Sequence, residues 1–231
     1  MPLWLGWTLA LLVAAGFARL GFWQLARMHE KEAMLARVAE VFRRHVVHAL
    51  DSDVVSDYEW VGGEAEIQSA TLLLDNQMRE GRAGVHLYCI AKPVPTGPNR
   101  LVDFGWMPMA EDRSIPNATC PVDRIFLRGL STPIPSSGLA IGQPLQETGN
   151  RTWLMTRVDP EAIRKATGMS VIPRVLRLDP SMKNIGYARD LDVLPNTLPP
   201  SRHLGYAVQW FALAAAVLAT AGVLTFRKPR A

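Results

Sequence analysis

The sequence lacks the residue patterns that mark most enzymes and metal proteins. It has only 2 cysteines among 231 residues, too few for a disulfide framework or for a zinc site of four cysteines. It contains no P-loop, no dinucleotide-binding fingerprint, no nucleophile elbow and no metalloprotease helix. The protein is therefore not expected to be an enzyme.

The sequence also lacks a basic run with interleaved aromatic residues. The formal net charge is +4, but the Lys and Arg residues are spread along the chain or stand beside apolar segments. Basic residues that flank a membrane segment need no nucleic acid to explain them. We therefore expect the lipid bilayer to be a partner, and we expect no nucleic acid.

Charge is absent from one long stretch near the C-terminus, residues 204–226. At about 1.5 Å per residue, a helix of this length crosses a hydrocarbon core of about 30 Å. Pro199 and Pro200 prevent a helix upstream, and Ser201 is a suitable N-cap. The sequence predicts a transmembrane helix over 202–226, followed by a basic tail over 227–231.

A second apolar segment opens the chain and predicts a transmembrane helix over 3–25. Arg19 interrupts it near its end and is expected to snorkel. A cleaved signal peptide is the alternative, because residues 16–18 resemble a cleavage site. The absence of a preceding basic residue and the presence of Trp4 and Trp7, which resemble interfacial anchors, favour a retained helix.

The first helix is predicted to continue as an amphipathic extension over 26–48. No proline or glycine occurs in residues 24–47, and apolar residues recur there at helical spacing. These apolar residues are Leu25, Met28, Leu35, Val38, Phe42 and Val46.

Between the two helices, residues 50–198 predict a β-rich domain. Short apolar stretches alternate with glycine and proline, a pattern typical of a mainly antiparallel sheet closed into a small barrel or packed as a sandwich. The predicted strands lie at 60–61, 70–74, 85–90, 100–106, 124–127, 152–158 and 174–178, and Gly62, Gly63 and Gly129 are interpreted as turn residues between them. The fold class is a membrane α+β protein, with a pair of membrane helices carrying an exoplasmic β domain.

One helix is predicted inside this domain. Asp159 can cap it, Pro160 suits its first position, and Gly168 suits the position after its end. Residues 191–200 are interpreted as a proline-rich tether to the second membrane helix.

The basic tail 227–231 predicts the topology. Three basic residues in a short tail place the C-terminus in the cytoplasm by the positive-inside rule, and two spans then return the N-terminus to the same side. The central domain would lie outside. Arg27, Lys31 and Arg37 oppose this orientation, but long domains translocate largely regardless of charge.

The cysteines and two methionines allow several interpretations. Cys89 and Cys120 could form a disulfide on an oxidising side, or Cys89 could be a buried free thiol. Met107 and Met109 could bind a soft metal such as Cu(I). Ordinary apolar contact is the simpler interpretation of the two methionines.

Among the histidines, His203 occupies an unusual position at the start of the second membrane helix. On a helix it shares a face with Tyr206 or Ala207 and with Trp210, and Gln209 lies to one side. A neutral imidazole beside an aromatic face could be an axial ligand of haem iron. The alternative is an interfacial histidine within a Tyr/Trp belt, which the residues alone favour.

Trp23 and Gln24 are expected at the same outer membrane level as His203. Arg27 and Lys31 follow one turn apart and could bind haem propionates or lipid phosphates. A charged end to the membrane segment is the alternative.

Several segments resemble the SURF1 (Shy1) family. Residues 20–31, LGFWQLARMHEK, resemble the signature LGxWQxxRxxxK at the end of the first membrane helix of these proteins. Residues 203–211, HLGYAVQWF, resemble their second signature, HLxYAxQWF. The segments 73–77, 84–85 and 102–108 match landmarks of the family in order. At 103 and 104 an Asp-Phe pair replaces the usual Asn-Arg.

The resemblance implies a two-span membrane protein with an exoplasmic domain. Together with the topology predicted from the tail, it predicts a protein of the bacterial inner membrane, with both termini cytoplasmic and a periplasmic central domain. It implies a role in assembling haem-copper cytochrome c oxidase, with haem a bound and inserted into subunit I, and with haem a synthase as a further candidate partner. It favours His203 as the iron ligand. The cofactor-binding residues that it suggests are His203, Tyr206, Trp210, Trp23, Gln24 and Arg27.

Two alternatives belong to other functional classes. The protein could be a cofactor-free scaffold that stabilises nascent subunit I. Less favoured is a copper or thiol carrier built on Cys89, Cys120, Met107 and Met109.

Overall fold

The computed structural model describes residues 2–44, 46–52, 56–135, 142–194 and 197–226. The chain forms two compact units, a helical unit (Met1–Arg37 with Thr197–Ala231) and a barrel unit (Val38–Asn196). The elements are α1 (Leu3–Arg44), β1 (Val47–Ala49), β2 (Glu59–Arg79), β3 (Arg82–Pro93), β4 (Arg100–Pro108), β5 (Arg124–Pro133), β6 (Leu145–Gly149), β7 (Thr152–Met155), α2 (Pro160–Thr167), β8 (Arg174–Leu178) and α3 (Pro200–Phe226).

In the helical unit, α1 and α3 are both long and apolar enough to cross a membrane. They pack antiparallel, since the indole Nε1 of Trp7 donates to Thr225 Oγ1 at 3.1 Å near one end. Toward the other end the rings of Phe17 and Trp210 stack with 5.6 Å between their centres. α3 begins at Pro200 itself, two residues before the predicted start, because proline suits the first helical position. The predicted tail 227–231 lies outside the described residues.

The helical extension predicted over 26–48 is too long. α1 ends at Arg44, and Val47–Ala49 forms β1, which pairs parallel with β2 so that Val47 lies opposite Trp60. Pairing with a neighbouring strand overrides the local helical pattern here, and a β-branched valine fits a strand better than a helix.

The barrel unit is a closed barrel rather than a sandwich. Its five strands follow the order β2–β3–β4–β8–β5 and return to β2, with β4 and β8 parallel and the other neighbours antiparallel. A five-stranded barrel whose long first strand pairs with the second and fourth strands, and whose third and fifth strands pair in parallel, has the connectivity of an OB-type barrel. The predicted fold class of two membrane helices and a mainly antiparallel β domain is confirmed.

β2 is the strand from which the sheet is built. It has 21 residues and pairs with β5 along its first part, with β3 along most of its length, and with β1 and β7 on its remaining edges. The sequence predicted two short strands here, with Gly62 and Gly63 in a turn. Both glycines are inside β2, where a Cβ on Gly63 would lie 2.9 Å from Leu50 Cβ.

Gly129 was likewise predicted to lie in a turn and instead lies inside β5. A Cβ at this position would lie 2.0 Å from the carbonyl oxygen of Arg177 on β8. These glycines mark close approaches between chain segments, and they do not break the strands.

The hydrophobic core occupies both sides of the sheet. Along β3, Leu87 and Cys89 belong to a first cluster with contributions from all five barrel strands, which is the barrel interior. Tyr88 and Ile90 belong to a second cluster, with Ile163 of α2. The predicted α2 is confirmed: Asp159 Oδ1 accepts from the N–H groups of residues 161 and 162, and Gly168 has φ 77°.

Cys89 and Cys120 form a disulfide, with 5.8 Å between their α-carbons. Both are buried in the barrel interior, so the free-thiol interpretation is wrong. Met107 is buried in the same cluster, and Met109 packs against it. Since a disulfide offers no thiolate, the copper or thiol carrier has no support here, and the described residues contain no cluster of His, Cys, Asp and Glu suited to a metal ion.

Candidate functional site

His203 lies on the face of α3 that packs against α1, and only 8% of its surface is exposed. Its Nδ1 atom is 2.7 Å from Oε1 of Gln24 on α1. An amide oxygen can only accept a hydrogen bond, so Nδ1 carries the proton and donates it. A proton on Nε2 as well would leave a buried N–H without an acceptor, so the neutral imidazole with its lone pair on Nε2 is the favoured form.

The Nε2 atom of His203 is buried, and none of the described residues forms a hydrogen bond with it. Leaving a buried polar atom without a partner costs free energy, so such an atom calls for an explanation. A neutral imidazole with an unprotonated Nε2 is the form that binds haem iron, and a ligating histidine typically donates its other N–H to a nearby acceptor, here Gln24. The residues present therefore fit an axial haem ligand. Because Nε2 is covered, an incoming iron must displace neighbouring side chains.

The predicted aromatic residues are distributed over two surfaces. Trp210 is half-buried and stacks on Phe17 of α1. Ala207, which is 1% exposed, shares the buried face with His203, whereas Tyr206 is 40% exposed. Trp23 is 51% exposed on α1. The structure thus brings Gln24 to His203 and leaves Tyr206 and Trp23 available on the surface of the helical unit.

Arg27 and Lys31, the two basic residues predicted to bind haem propionates or lipid phosphates, have different environments. Arg27 lies over the ring of Trp23, with 5.9 Å between its Cζ atom and the ring centre, and its Nη1 is 2.8 Å from Glu30 Oε2. This exposed ion pair contributes little energy, so an incoming anion can replace it. Lys31 donates from Nζ to the carbonyl oxygen of Leu198 at 2.5 Å, and so ties the residues before α3 to α1.

The sequence compares clearly with one known family. The SURF1 family model matches residues 11–215 of the 231-residue chain. The chain belongs to the SURF1 family. The matched range contains residues 20–31 and 203–211, whose motifs predicted this membership. A comparison with curated proteins gives no match.

SURF1 proteins are assembly factors associated with cytochrome c oxidase and are not known enzymes. Together with its two apolar helices, family membership makes this chain a membrane protein associated with oxidase assembly.

The first SURF1 motif contains a glycine whose role is visible in the structure. Phe211 is the last residue of the second motif, and a Cβ on Gly21 would lie 2.7 Å from two atoms of its ring. Phe211 also packs edge-to-face on Phe22, with 5.2 Å between ring centres. The sequence reasoning missed Phe17 and Phe211 as packing partners, although a glycine between apolar residues of a membrane helix is a usable signal of close packing.

The departure of this SURF1 protein from its family at 103 has a structural counterpart. Asp103 is buried, both of its carboxylate oxygens lie 2.9 Å from Nδ1 of His86, and Oδ1 accepts from the N–H of Gly105. Arg177 Nε is 4.0 Å from Oδ2. Burial raises the pKa of Asp103, but the charge and hydrogen bonds of His86, together with Arg177 and the Gly105 N–H, outweigh burial and hold that pKa below its ordinary value. The sequence reasoning identified the substitution and missed these partners.

Proposed function

We propose that this SURF1 protein binds haem a through His203 and aids its insertion into subunit I of cytochrome c oxidase. The observation that carries the proposal is the buried, unpartnered Nε2 of His203, whose imidazole is held in the ligating tautomer by Gln24. Haem a is cargo for an assembly factor, so the protein needs to bind and release it.

The environment of His203 favours reversible binding. A carboxylate partner would raise the basicity of the imidazole and strengthen a bond to iron, whereas the amide of Gln24 carries no charge and does so less. The side chains that bury Nε2 also oppose ligation, because they must move before iron can bind. Both features favour a ligand that can transfer its cargo.

The remaining predicted residues have supporting roles in this proposal. Trp210 is half-buried two helical turns after His203 on α3 and would pack on a porphyrin, and the exposed rings of Tyr206 and Trp23 offer further apolar surface. Arg27 would exchange Glu30 for a haem propionate.

We further propose that both termini are cytoplasmic and that the barrel unit lies in the periplasm of a bacterial inner membrane. The Cys89–Cys120 disulfide supports this orientation, because disulfides persist in oxidising compartments. Haem a synthase is then a candidate donor of the haem, and subunit I is its recipient.

A visible spectrum tests the haem proposal. The full chain is purified after co-expression with haem a synthesis, as wild type, His203→Ala and His29→Ala. His29 is the control because it lies on α1 with its side chain 69% exposed. Wild type and His29→Ala are expected to retain haem a, and His203→Ala to lose most of it. Equal haem in all three proteins would refute the ligand assignment.

The same preparations separate a haem carrier from a cofactor-free scaffold. If all three proteins contain no haem but copurify with subunit I, the scaffold is the correct function.

A further inference from the structure

A pocket of about 280 Å³ lies on the outer surface of the barrel unit. Its lining includes Arg79 and Glu80 at the β2–β3 hairpin, His86 on β3, and Arg177 on β8. Asp190 and Asp192 complete its wall from the segment that follows β8. In OB-type barrels, the face of the second and third strands and the loop between the first and second strands form the usual ligand surface. β3, β4 and the β2–β3 hairpin occupy these positions here.

Two of the lining residues, His86 and Arg177, belong to a row of polar side chains that crosses three neighbouring strands. Asp103 on β4 lies directly opposite Arg177 on β8 in the parallel pairing, and His86 on β3 contacts Asp103 diagonally. The side chains of Asp103 and Arg177 are 6% and 12% exposed. Burying charged side chains is costly unless they are paired, so this row is an ordered polar network and not a solvated surface.

Two β-bulges lie beside His86. One occurs on β2 between Leu74 and Gln77, where Asn76 has φ 58°. The other occurs where β4 pairs with Leu87 and Tyr88 of β3, and Gly105 follows it with φ 109°. Bulges redirect side chains and are common beside binding sites.

Both arginines of the pocket face the same carboxylate. Arg79 Nη1 donates to Asp190 Oδ2 at 2.6 Å, and Arg177 Nη2 lies 3.6 Å from Asp190 Oδ1. Arg177 also donates to the carbonyl oxygen of Asp192. The ion pair of Arg79 is partly exposed, because the side chains of Arg79 and Asp190 are 28% and 49% exposed. The carboxylate of Asp190 therefore occupies an arginine pair of the kind that binds carboxylates and phosphates.

The side chains of the other acidic residues do not replace Asp190 as the shared partner of Arg79 and Arg177. Asp103 is held by His86 and the Gly105 N–H and lies 4.0 Å from Nε of Arg177, so it does not occupy the Nη atoms that face Asp190. Asp192 Oδ1 accepts from the N–H of Leu194. Glu80 lies in the hairpin turn with φ 51°. With Nδ1 of His86 held by Asp103, the second ring nitrogen of His86 is the one left for a ligand in the pocket.

We propose that this pocket binds a small oxyanion ligand, bearing a carboxylate or phosphate group, whose oxygens replace the carboxylate of Asp190 on Arg79 and Arg177. Asp190 acts as an internal competitor, since its carboxylate occupies the arginines when no ligand is bound. The site is independent of His203 and of haem.

Titration of the full chain in detergent with inorganic phosphate, and separately with malonate, tests the proposal, with chloride at equal ionic strength as the reference. The two probes distinguish phosphate ligands from carboxylate ligands. Asp190→Asn is expected to tighten binding about threefold to fivefold, because it removes an exposed competing charge. Arg79→Gln is expected to abolish binding, and Arg124→Gln, which removes an exposed ion pair with Glu64, is the control.

The Asp190 variant makes the test specific, since a purely structural ion pair would not give tighter binding on its removal. No binding of either anion to wild type and Asp190→Asn, or equal affinity of these two proteins, overturns the proposal. Unchanged binding by Arg79→Gln overturns it as well.

Discussion

The ring of Phe211 lies against the α-carbon of Gly21, so closely that a Cβ at position 21 would be 2.7 Å from two ring atoms. The lipid around membrane helices provides no hydrophobic driving force for their association, so close packing over small residues holds them together. The contact joins the two motifs of the SURF1 family across α1 and α3.

Gly21→Ala is expected to destabilise the pairing of α1 and α3 by about 1 kcal/mol, because the Phe211 ring must move away. Unfolding in mixed micelles measures the change. Gly16→Ala is the control, since a Cβ at 16 has no atom within 4 Å. Adding Phe211→Ala should remove the specific effect of Gly21→Ala, and a double variant that shows no such coupling would contradict the steric explanation.

Gln24→Leu is expected to lower the haem a retained by the purified protein about tenfold, because partners of a ligating histidine typically contribute this much. The substitution removes the acceptor that holds the proton on Nδ1 of His203. Gln209→Leu is the matched control, because Gln209 is exposed on α3. If both variants retain haem equally, Gln24 does not set the tautomer of His203.

Asp103→Asn is expected to reduce the free energy of unfolding of the barrel unit by about 3 kcal/mol at neutral pH, because it breaks a buried charge network. Denaturant titration followed by tryptophan fluorescence measures it, with the exposed Asp123→Asn as the control.

The advantage of wild type over Asp103→Asn should also depend on pH. The pKa of Asp103 is lowered in the folded protein, so the stabilisation is complete above the unfolded value of about 3.9 and is lost as pH falls through the folded pKa. A difference that grows as the pH falls below 4 would show that Asp103 is not stabilised in its charged form.

Replacing Cys89 and Cys120 together by alanine is expected to lower the free energy of unfolding by about 3 to 4 kcal/mol, given a sequence separation of 31 residues. The copper content of the assembled oxidase should not change per molecule of oxidase formed, because the two sulfurs have a structural role. Metal analysis of the purified oxidase checks this, and a specific loss of copper would restore the carrier interpretation.

Local signals made parts of this fold predictable. Asp159, Pro160 and Gly168 mark α2 because caps act within a few residues, and the uncharged run at 204–226 marks α3 because the membrane sets its length. The strand order was hidden, because β8 inserts between β4 and β5 and no local pattern records a distant pairing. The sequence pattern predicts turns at Gly63 and Gly129 for the same reason. Both glycines lie inside strands, and the segments that approach them are distant in sequence.

The candidate site was predictable in its residues and not in its geometry. The motifs identified His203 and Gln24, but their hydrogen bond joins residues 179 positions apart. The face shared by His203 with Tyr206 or Ala207 was ambiguous from helical spacing, and packing against α1 selects Ala207.

The insertion of β8 between β4 and β5 affects how the protein is made. While the ribosome is still synthesising the chain, β4 and β5 each have an edge that nothing covers until Arg174–Leu178 has emerged. Unpaired strand edges invite aggregation. The nascent barrel is therefore most vulnerable after β5 has emerged and before β8 has emerged, so a factor that shields exposed strand edges would benefit its biogenesis most in that interval.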